Sequence, residues 1–167
     1  MKYKVARKQH NSKNCFVCGL KNDMGLKASF YELENGEIVA TFIALEEHQS
    51  YPGRLHGGVA GAVLDEVIGR AIMITHEDIW GVTIELSLRY KKPVPLNEEL
   101  KVVGRITSDS SRIFEGTGEL LLPNGDVAVT AHGKYMKLPI DKIANFNEDH
   151  EEWQVVISEN DPGEIEI

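Results

Sequence analysis

The longest run of apolar and small residues extends from Leu55 to Thr75 and contains only three charged side chains. Since this run is too long for a typical strand, it predicts a helix. Apolar residues occupy nearly all of its faces, so the helix should be buried on most sides. It has too few consecutive apolar residues to span a bilayer. The pattern therefore predicts the central helix of a soluble core.

Most of the remaining apolar pattern has a period of two, which is typical of strands. The clearest case is Ile79–Lys92, where apolar and polar side chains alternate and Pro93 follows. This alternation predicts an antiparallel sheet with one solvated face. Further strands are predicted at Lys27–Glu34, Glu37–Ala44, Glu99–Thr107, Arg112–Leu122 and Val127–Leu138, with hairpins at Asn35-Gly36 and Pro123–Asp126. One long helix and about six antiparallel strands define an α+β fold.

Projection at about 100° per residue divides the predicted helix into faces. The face expected to meet the sheet comprises Ala60, Val63, Val67, Ala71 and Ile74. Glu66 and Arg70 lie one turn apart and are predicted to form an exposed ion pair. Asp65 lies on a third face, among Gly58, Gly61 and Gly69. Each glycine inside a helix costs roughly 1 kcal/mol relative to alanine, so another backbone or a ligand should approach this face. The alternative is that Asp65 pairs with an arginine elsewhere.

The predicted helix begins at His56-Gly57-Gly58. The first backbone N–H groups of a helix have no partner within it, so such a start can bind an anion or stabilise an oxyanion. The alternative is that the two glycines only let a loop turn into the helix. The pattern becomes more specific because Asp65 follows His56 by nine residues on the same helix.

Charge divides the chain into three parts. Residues 1–27 carry seven basic side chains and one acidic, whereas residues 141–167 carry nine acidic side chains and one basic. We therefore predict a basic N-terminal arm (1–26), one domain (27–140) and an acidic C-terminal tail (141–167). The tail is either solvated, or it packs Trp153 on the domain or on a neighbouring subunit.

Composition also limits the class of function. The net charge of −8 does not favour nucleic-acid binding, which requires a basic face. No signal peptide or membrane segment is apparent, and two cysteines favour a cytoplasmic protein. These two, Cys15 and Cys18, form a single CxxC pair. A structural zinc site needs further ligands, of which His10 would supply only a third, and a redox CxxC would adjoin a βαβ unit. We therefore expect no metal.

The segment HGGVAGAVLDE resembles the core motif of hotdog-fold acyl-CoA thioesterases of the PaaI type. The resemblance covers about Asn14 to Leu138, and the segment CFVCGLKNDMGL also resembles the start of such sequences. It implies the hotdog fold, in which a curved antiparallel sheet wraps a long central helix. It further implies hydrolysis of an acyl-CoA or acyl-carrier thioester, with no cofactor beyond the CoA of the substrate.

The same resemblance implies roles for residues of this chain. Asp65 would act as nucleophile or general base, and the Gly57 N–H would form the oxyanion site. Thr83 matches a hydroxyl that orients the water or the carboxylate. Relatives often carry Asn or Gln seven residues before the catalytic glycine, where this chain has Ser50 beside Gln49. We therefore predict the catalytic residues Asp65, Gly57, Thr83 and Ser50, and the substrate-binding residues His56, Gly58 and Gln49.

Two other functions are compatible with the motif. A hotdog dehydratase would pair His48 with an acid, but no acid lies at the expected spacing. A non-catalytic acyl-CoA-binding protein would have no reason to hold Asp65 beside a thioester. The resemblance also implies a homodimer with shared active sites, and we expect two such dimers to associate.

Overall fold

The computed structural model describes all 167 residues and consists of one long helix packed against a single sheet. Helix α1 comprises Gly57–Arg70, and a short helix α2 comprises Glu148–Glu151. The strands are β1 (Lys2–Lys8), β2 (Ser29–Leu33), β3 (Ile38–Ile43), β4 (Trp80–Tyr90), β5 (Glu99–Asp109), β6 (Ile113–Leu121), β7 (Val127–Leu138) and β8 (Glu164–Glu166). They form one antiparallel sheet in the order β4-β7-β6-β5-β3-β2-β1-β8. The predicted α+β hotdog architecture is confirmed, with eight strands instead of about six.

Helix α1 forms the centre of the core. Val63, Leu64, Val67 and Ile68 are fully buried between the helix and strands β3 to β7. The chain then tightens into a 3-10 turn over Ala71–Ile74, so the predicted helix ends in a tighter form at its C-terminus. None of the helices combines the length and the apolar character that crossing a membrane requires.

The two additional strands come from the terminal segments. Strand β1 pairs antiparallel with β2 on one side and with β8 on the other. The opposite charges of the two ends meet in the ion pairs Lys8–Asp161 at 2.6 Å and Lys21–Glu152 at 2.7 Å. The basic N-terminal arm predicted over residues 1–26 therefore contributes an ordered strand, β1, to the sheet. The alternating lysines of this segment obscured a half-buried strand in the sequence pattern. In the structure Tyr3 and Val5 pack on Ile165 and its neighbours.

The terminal segments also cover one face of α1. Arg70 is only 5% exposed, and its guanidinium lies 4.1 Å from the centre of the Phe30 ring. Its Nε donates to Glu66 Oε1 at 2.9 Å, and its Nη1 donates to the His10 carbonyl at 2.9 Å. The ion pair between Glu66 and Arg70 exists, but the prediction that it is exposed is wrong, because residues 9–18 lie over it.

Strand β4 contains a bulge that changes which side chains face the helix. Thr83 pairs with Tyr135 and Glu85 with Lys134, so Ile84 is the extra residue and is 50% exposed. Thr83 contacts the helix before the bulge, and Leu88 contacts it after the bulge. A regular strand would place these two residues on opposite faces. The predicted simple alternation over Ile79–Lys92 therefore fails at Ile84.

The acidic tail packs on the domain through Trp153. Its ring stacks on His10 at 5.2 Å and lies 4.8 Å from the Trp80 ring. The Asn11 and Gln154 backbones exchange hydrogen bonds of 2.9 and 3.2 Å. Of the two alternatives for the tail, the structure supports the packed one.

We expect Trp153→Ala to lower the stability of the folded chain by about 2 kcal/mol, below the roughly 3–5 kcal/mol typical of fully buried aromatic residues, since Trp153 is only partly buried. In a domain of this size the melting temperature should fall by about 4–8 °C. The matched control is Ile157→Ala in the same tail, because Ile157 is 76% exposed and should have little effect. Thermal unfolding followed by circular dichroism measures both, and equal melting temperatures would show that Trp153 contributes nothing.

Candidate active site

The Asp65 carboxylate accepts hydrogen bonds from two hydroxyl groups of the sheet. Thr83 Oγ1 donates to Oδ1 at 2.9 Å and lies 3.2 Å from Oδ2. Tyr135 Oη donates to Oδ1 at 3.0 Å and to the Asp65 carbonyl at 3.1 Å. Burial and the nearby Asp65 charge raise the pKa of Tyr135 well above its usual range, so this phenol remains a donor at neutral pH. The carboxylate is thus held by neutral donors and not by the arginine considered as an alternative.

Asp65 lies in the wall of a cavity of about 560 Å³ between the helix, the sheet and the tail. Thr83 and Tyr135 line the same cavity. Three aromatic side chains also line it, Trp80 of β4 and Phe146 and Trp153 of the tail, and their rings contact one another. The cavity therefore combines a carboxylate, two hydroxyls and an apolar chamber.

Side chains of the same chain occupy the space left by the glycines near Asp65. A Cβ at Gly61 would lie 3.0 Å from Leu88 Cδ1, and one at Gly69 would lie 3.4 Å from the Tyr135 ring. At these two positions the approaching groups within the chain are therefore side chains of the sheet, Leu88 and Tyr135, which the sequence did not predict. The glycines let β4 and β7 pack closely on the helix, and this brings Thr83 and Tyr135 within reach of Asp65.

The start of α1 lies in a second pocket. His56 is the N-cap, and its Nδ1 accepts the Gly58 N–H at 2.9 Å. The Gly57 N–H has no hydrogen-bond partner in the chain, while its carbonyl accepts from Tyr90 Oη at 2.6 Å. Gly57 and Ser50 line a pocket of about 400 Å³. This pocket therefore presents an unpaired backbone donor at the positive end of the helix.

The loop before the helix separates Ser50 from Gln49. Gln49 Oε1 accepts the Gly53 N–H at 2.9 Å and so holds the turn of this loop. Gln49 does not line the pocket at Gly57, whereas Ser50 does. Of the two candidate contacts for a substrate, only Ser50 lines the pocket that also contains Gly57.

The predicted catalytic residues thus form two groups. Asp65 and Thr83 line one cavity, and Gly57 and Ser50 line the other. Eight helical residues at about 1.5 Å rise place Gly57 roughly 12 Å from Asp65 along the axis. One thioester cannot contact both groups within a single chain.

Tyr135, Trp80, Phe146 and Trp153 are site residues that the sequence predictions did not include. Tyr135 lies on the buried face of β7, with Val129, Ala131 and Gly133, so its inward direction follows from strand alternation. Its contact with Asp65 depends on how the helix lies across the sheet, which a single sequence does not reveal.

The family model that matches this chain is the thioesterase superfamily, over residues 52–129. That range includes Gly57, Asp65 and Thr83. Human acyl-coenzyme A thioesterase 13 is 25% identical over 71 residues, which are 42% of this chain and 51% of the human protein. The chain thus spans about half the length of the curated relatives it matches.

Solved structures support the same relationship. A thioesterase superfamily protein is 30% identical with a TM-score of 0.68, and the match covers 74% of this chain and 63% of that one. A hypothetical thioesterase from Streptococcus pneumoniae, solved with coenzyme A, has the same fold with a TM-score of 0.61 at 19% identity, over 67% of this chain and 86% of that one. The chain is therefore similar to thioesterases, in sequence over residues 52–129 and in fold over 74% of its length.

Proposed function

From the match of residues 52–129 to the thioesterase superfamily, we propose that this chain hydrolyses acyl-CoA thioesters to a free acid and CoA. The observation that carries the proposal is the Asp65 carboxylate, held by Thr83 and Tyr135 in the wall of an apolar cavity. A pure binding site gains nothing from a carboxylate beside the acyl carbonyl, whereas hydrolysis needs a nucleophile or a base.

In the proposed reaction, Asp65 either attacks the thioester carbonyl carbon or takes a proton from the water that does so. Both hydroxyl donors converge on Oδ1, so Oδ2 is the freer oxygen for this step. The carbonyl oxygen gains negative charge and accepts a hydrogen bond from the Gly57 N–H at a helix start. The carbon–sulfur bond then breaks, and the CoA thiolate leaves readily because the pKa of a thiol is about 8.5. After direct attack, water hydrolyses the resulting Asp65–acyl anhydride, which releases the free acid and restores the carboxylate. After attack by water, the proton that Asp65 took passes to the thiolate.

The two groups of residues meet if two subunits share each site. Strand β4 is at the edge of the sheet, is eleven residues long and pairs only with β7. Long, unprotected edge strands tend to pair with another strand. Pairing of β4 with its copy would lay two α1 helices side by side in opposite directions. Gly57 and Ser50 of one subunit would then approach Asp65 and Thr83 of the other.

The pocket at Gly57 also supplies cations for the phosphates of CoA. Arg54 and Lys91 line it, and neither side chain has a carboxylate partner within 4 Å. Lys92 also lines it but pairs with Asp126 at 2.7 Å. Arg105 lies outside this pocket and is paired with Glu37 and Glu119. We therefore assign the phosphate contacts to Arg54 and Lys91.

Kinetics on a panel of short, long and aromatic acyl-CoAs tests this proposal. For the best substrate, Arg54→Ala should raise KM by about tenfold with little change in kcat. The reason is that the contact with the phosphates is the same in the bound substrate and in the transition state. With the matching acyl-pantetheine, which lacks those phosphates, the variant and the wild type should have the same KM. Arg112→Ala, which lies outside this pocket, is the control. Binding of every acyl-CoA without turnover would instead indicate a non-catalytic acyl-CoA-binding protein.

The dehydratase alternative is not favoured by the surroundings of His48. This residue is 3% exposed, its Nδ1 accepts the Leu45 N–H at 2.9 Å, and its Nε2 lies 2.8 Å from the Met24 carbonyl. Both ring nitrogens therefore have structural partners, and neither is free to move a substrate proton. Product analysis on a 3-hydroxyacyl-CoA would detect any dehydration.

A further inference from the structure

The two cysteines converge with Glu66 in the wall of the cavity. Cys15 Sγ, Cys18 Sγ and a Glu66 carboxylate oxygen all lie within 4.8 Å of one another. Cys15 Sγ is 3.2 Å from Glu66 Oε2. The sequence places Glu66 some fifty residues after the cysteines, so the third group becomes visible only when the loop packs on α1.

The CxxC turn holds the two sulfurs within 4.8 Å of each other. The Cys18 N–H donates to Cys15 Sγ at 3.4 Å, and Ser12 Oγ lies 3.4 Å from Cys18 Sγ. The Gly19 N–H donates to the Cys15 carbonyl at 2.8 Å, and a Cβ at Gly19 would lie 2.4 Å from that oxygen. Only glycine can therefore close this turn, and the turn supplies polar contacts to both sulfurs. Contacts of this kind orient metal ligands and support their charge.

We propose that Cys15, Cys18 and Glu66 bind one Zn²⁺ ion. Thiolate and carboxylate oxygen are both zinc ligands, and tetrahedral zinc places its sulfur ligands about 3.7 Å apart. The three groups need only small side-chain movements to reach that spacing. Thiolate pairs also select zinc over the hard cations Mg²⁺ and Ca²⁺.

The charges around the cluster support this assignment. Arg70 Nε and Nη2 both contact Glu66 Oε1 at 2.9 Å, which leaves Oε2 available to a metal. Without metal, two neutral thiols adjoin a neutral ion pair. When Zn²⁺ replaces the two thiol protons, the net charge of the cluster is again zero. The ion contributes +2, the two thiolates −2, the Glu66 carboxylate −1 and Arg70 +1. Metal binding therefore adds no net charge to a buried region, where an uncompensated charge would be costly.

Three protein ligands leave a fourth position on the ion. Cys15, Cys18 and Glu66 all line the cavity that Asp65 and Thr83 also line, so this position faces the cavity and takes water. The ion would connect the N-terminal loop to α1 at the residue next to Asp65. It would thus hold one wall of the cavity in place.

Zinc titration of the full chain tests this proposal. The chain is purified under reducing conditions, stripped with a chelator and titrated with Zn²⁺ alone by calorimetry. We expect about one ion per chain and a rise in melting temperature, since binding only to the folded state stabilises it. Co²⁺ in place of Zn²⁺ should give the intense absorption of a tetrahedral site with sulfur-to-metal charge transfer.

Variants identify the ligands. Cys15→Ser and Cys18→Ser should each weaken zinc binding by at least about 100-fold, and Glu66→Gln by about 10- to 100-fold. If the variant at the buried Cys18 fails to fold, the loss of zinc binding can still be measured on Cys15→Ser alone. The control is Asp65→Asn, which changes the neighbouring carboxylate in the same cavity and should bind zinc as the wild type does.

Three results would overturn the proposal. They are absence of zinc binding by the reduced chain, full zinc binding by the Cys15→Ser/Cys18→Ser double variant, and a cobalt spectrum without the sulfur band. If the reduced chain binds no metal and the air-oxidised chain is two hydrogens lighter, the pair forms a disulfide instead. None of these readouts depends on hydrolysis, so failure here is distinct from failure of the proposed thioesterase function.

Discussion

Asp65→Asn should lower the rate of acyl-CoA hydrolysis by about 10²-fold or more, the scale of lost acid–base catalysis. The substitution is nearly isosteric, and an amide oxygen in the place of Oδ1 can still accept the hydrogen bonds from Thr83 and Tyr135. The fold should therefore survive while the nucleophile or base is lost. Steady-state hydrolysis of the best acyl-CoA, followed by release of free thiol, measures the effect.

The control is Asp78→Asn, which makes the same chemical change at an exposed position outside the cavity. It should hydrolyse the substrate at the wild-type rate. Melting temperatures of both variants should match the wild type within a few degrees. A folded Asp65→Asn variant with normal turnover would refute the role of Asp65.

A mixture of two inactive variants should regain activity if each site is shared between two subunits. One variant is Asp65→Asn, and the other is Gly57→Pro, which removes the free N–H at the helix start. Proline is tolerated in the first turn of a helix. His56, which precedes it, is already extended with φ −64° and ψ 132°, the conformation that a following proline favours. Each homodimer should be nearly inactive.

A heterodimer of the two would contain one site with both lesions and one site with none. Purified with two different tags, it should show up to about half of the wild-type activity per dimer, as two-fold symmetry requires. The same purification reports whether a dimer forms at all. If heterodimers of folded subunits stay as inactive as their parents, each site lies within one chain.

Gly57→Ala is the matched control for the proline variant. A Cβ at Gly57 would approach the Tyr90 ring to 3.3 Å, and Tyr90 is 52% exposed, so its side chain can move. Alanine and proline both add this Cβ, but only proline removes the N–H. Gly57→Ala should therefore keep most of the activity that Gly57→Pro loses. Equal losses would assign the effect to the Tyr90 contact and not to the oxyanion site.

The sequence was sufficient to predict the parts of the fold that depend on local pattern. The apolar run at Leu55–Thr75 and the alternation at Val127–Leu138 predict α1 and β7 closely. Asp65 and Thr83 were placed in one site by resemblance to a motif, and the structure joins them by a hydrogen bond. These features are contained in short segments, so one sequence reveals them.

Features that depend on contacts between distant segments were not predictable in the same way. Glu66 was expected at the surface because its own helix face is polar, but the cysteine loop covers it. Tyr135 meets Asp65 across 70 residues of sequence. The basic end was interpreted as an arm, and the acidic end was left as either solvated or packed, because each lacks a strong apolar pattern. Together they form a strand pair whose apolar residues are few and alternate with lysine and glutamate.

The bulge at Ile84 determines which side chains of β4 face the helix on each side of it. Thr83 must face inward for the chemistry, while Leu88 and Tyr90 must face inward to pack on the helix and to hold its first carbonyl. Leu88 and Tyr90 follow Thr83 by five and seven positions, and an odd offset places two residues of a regular strand on opposite faces, so one extra residue is required. The side chain of that residue is half-exposed, so packing within one chain places little constraint on its chemical identity. Substitution of Ile84 should therefore be tolerated within one chain. Deletion of Ile84 should not, because it would turn either Thr83 or the pair Leu88 and Tyr90 away from the helix.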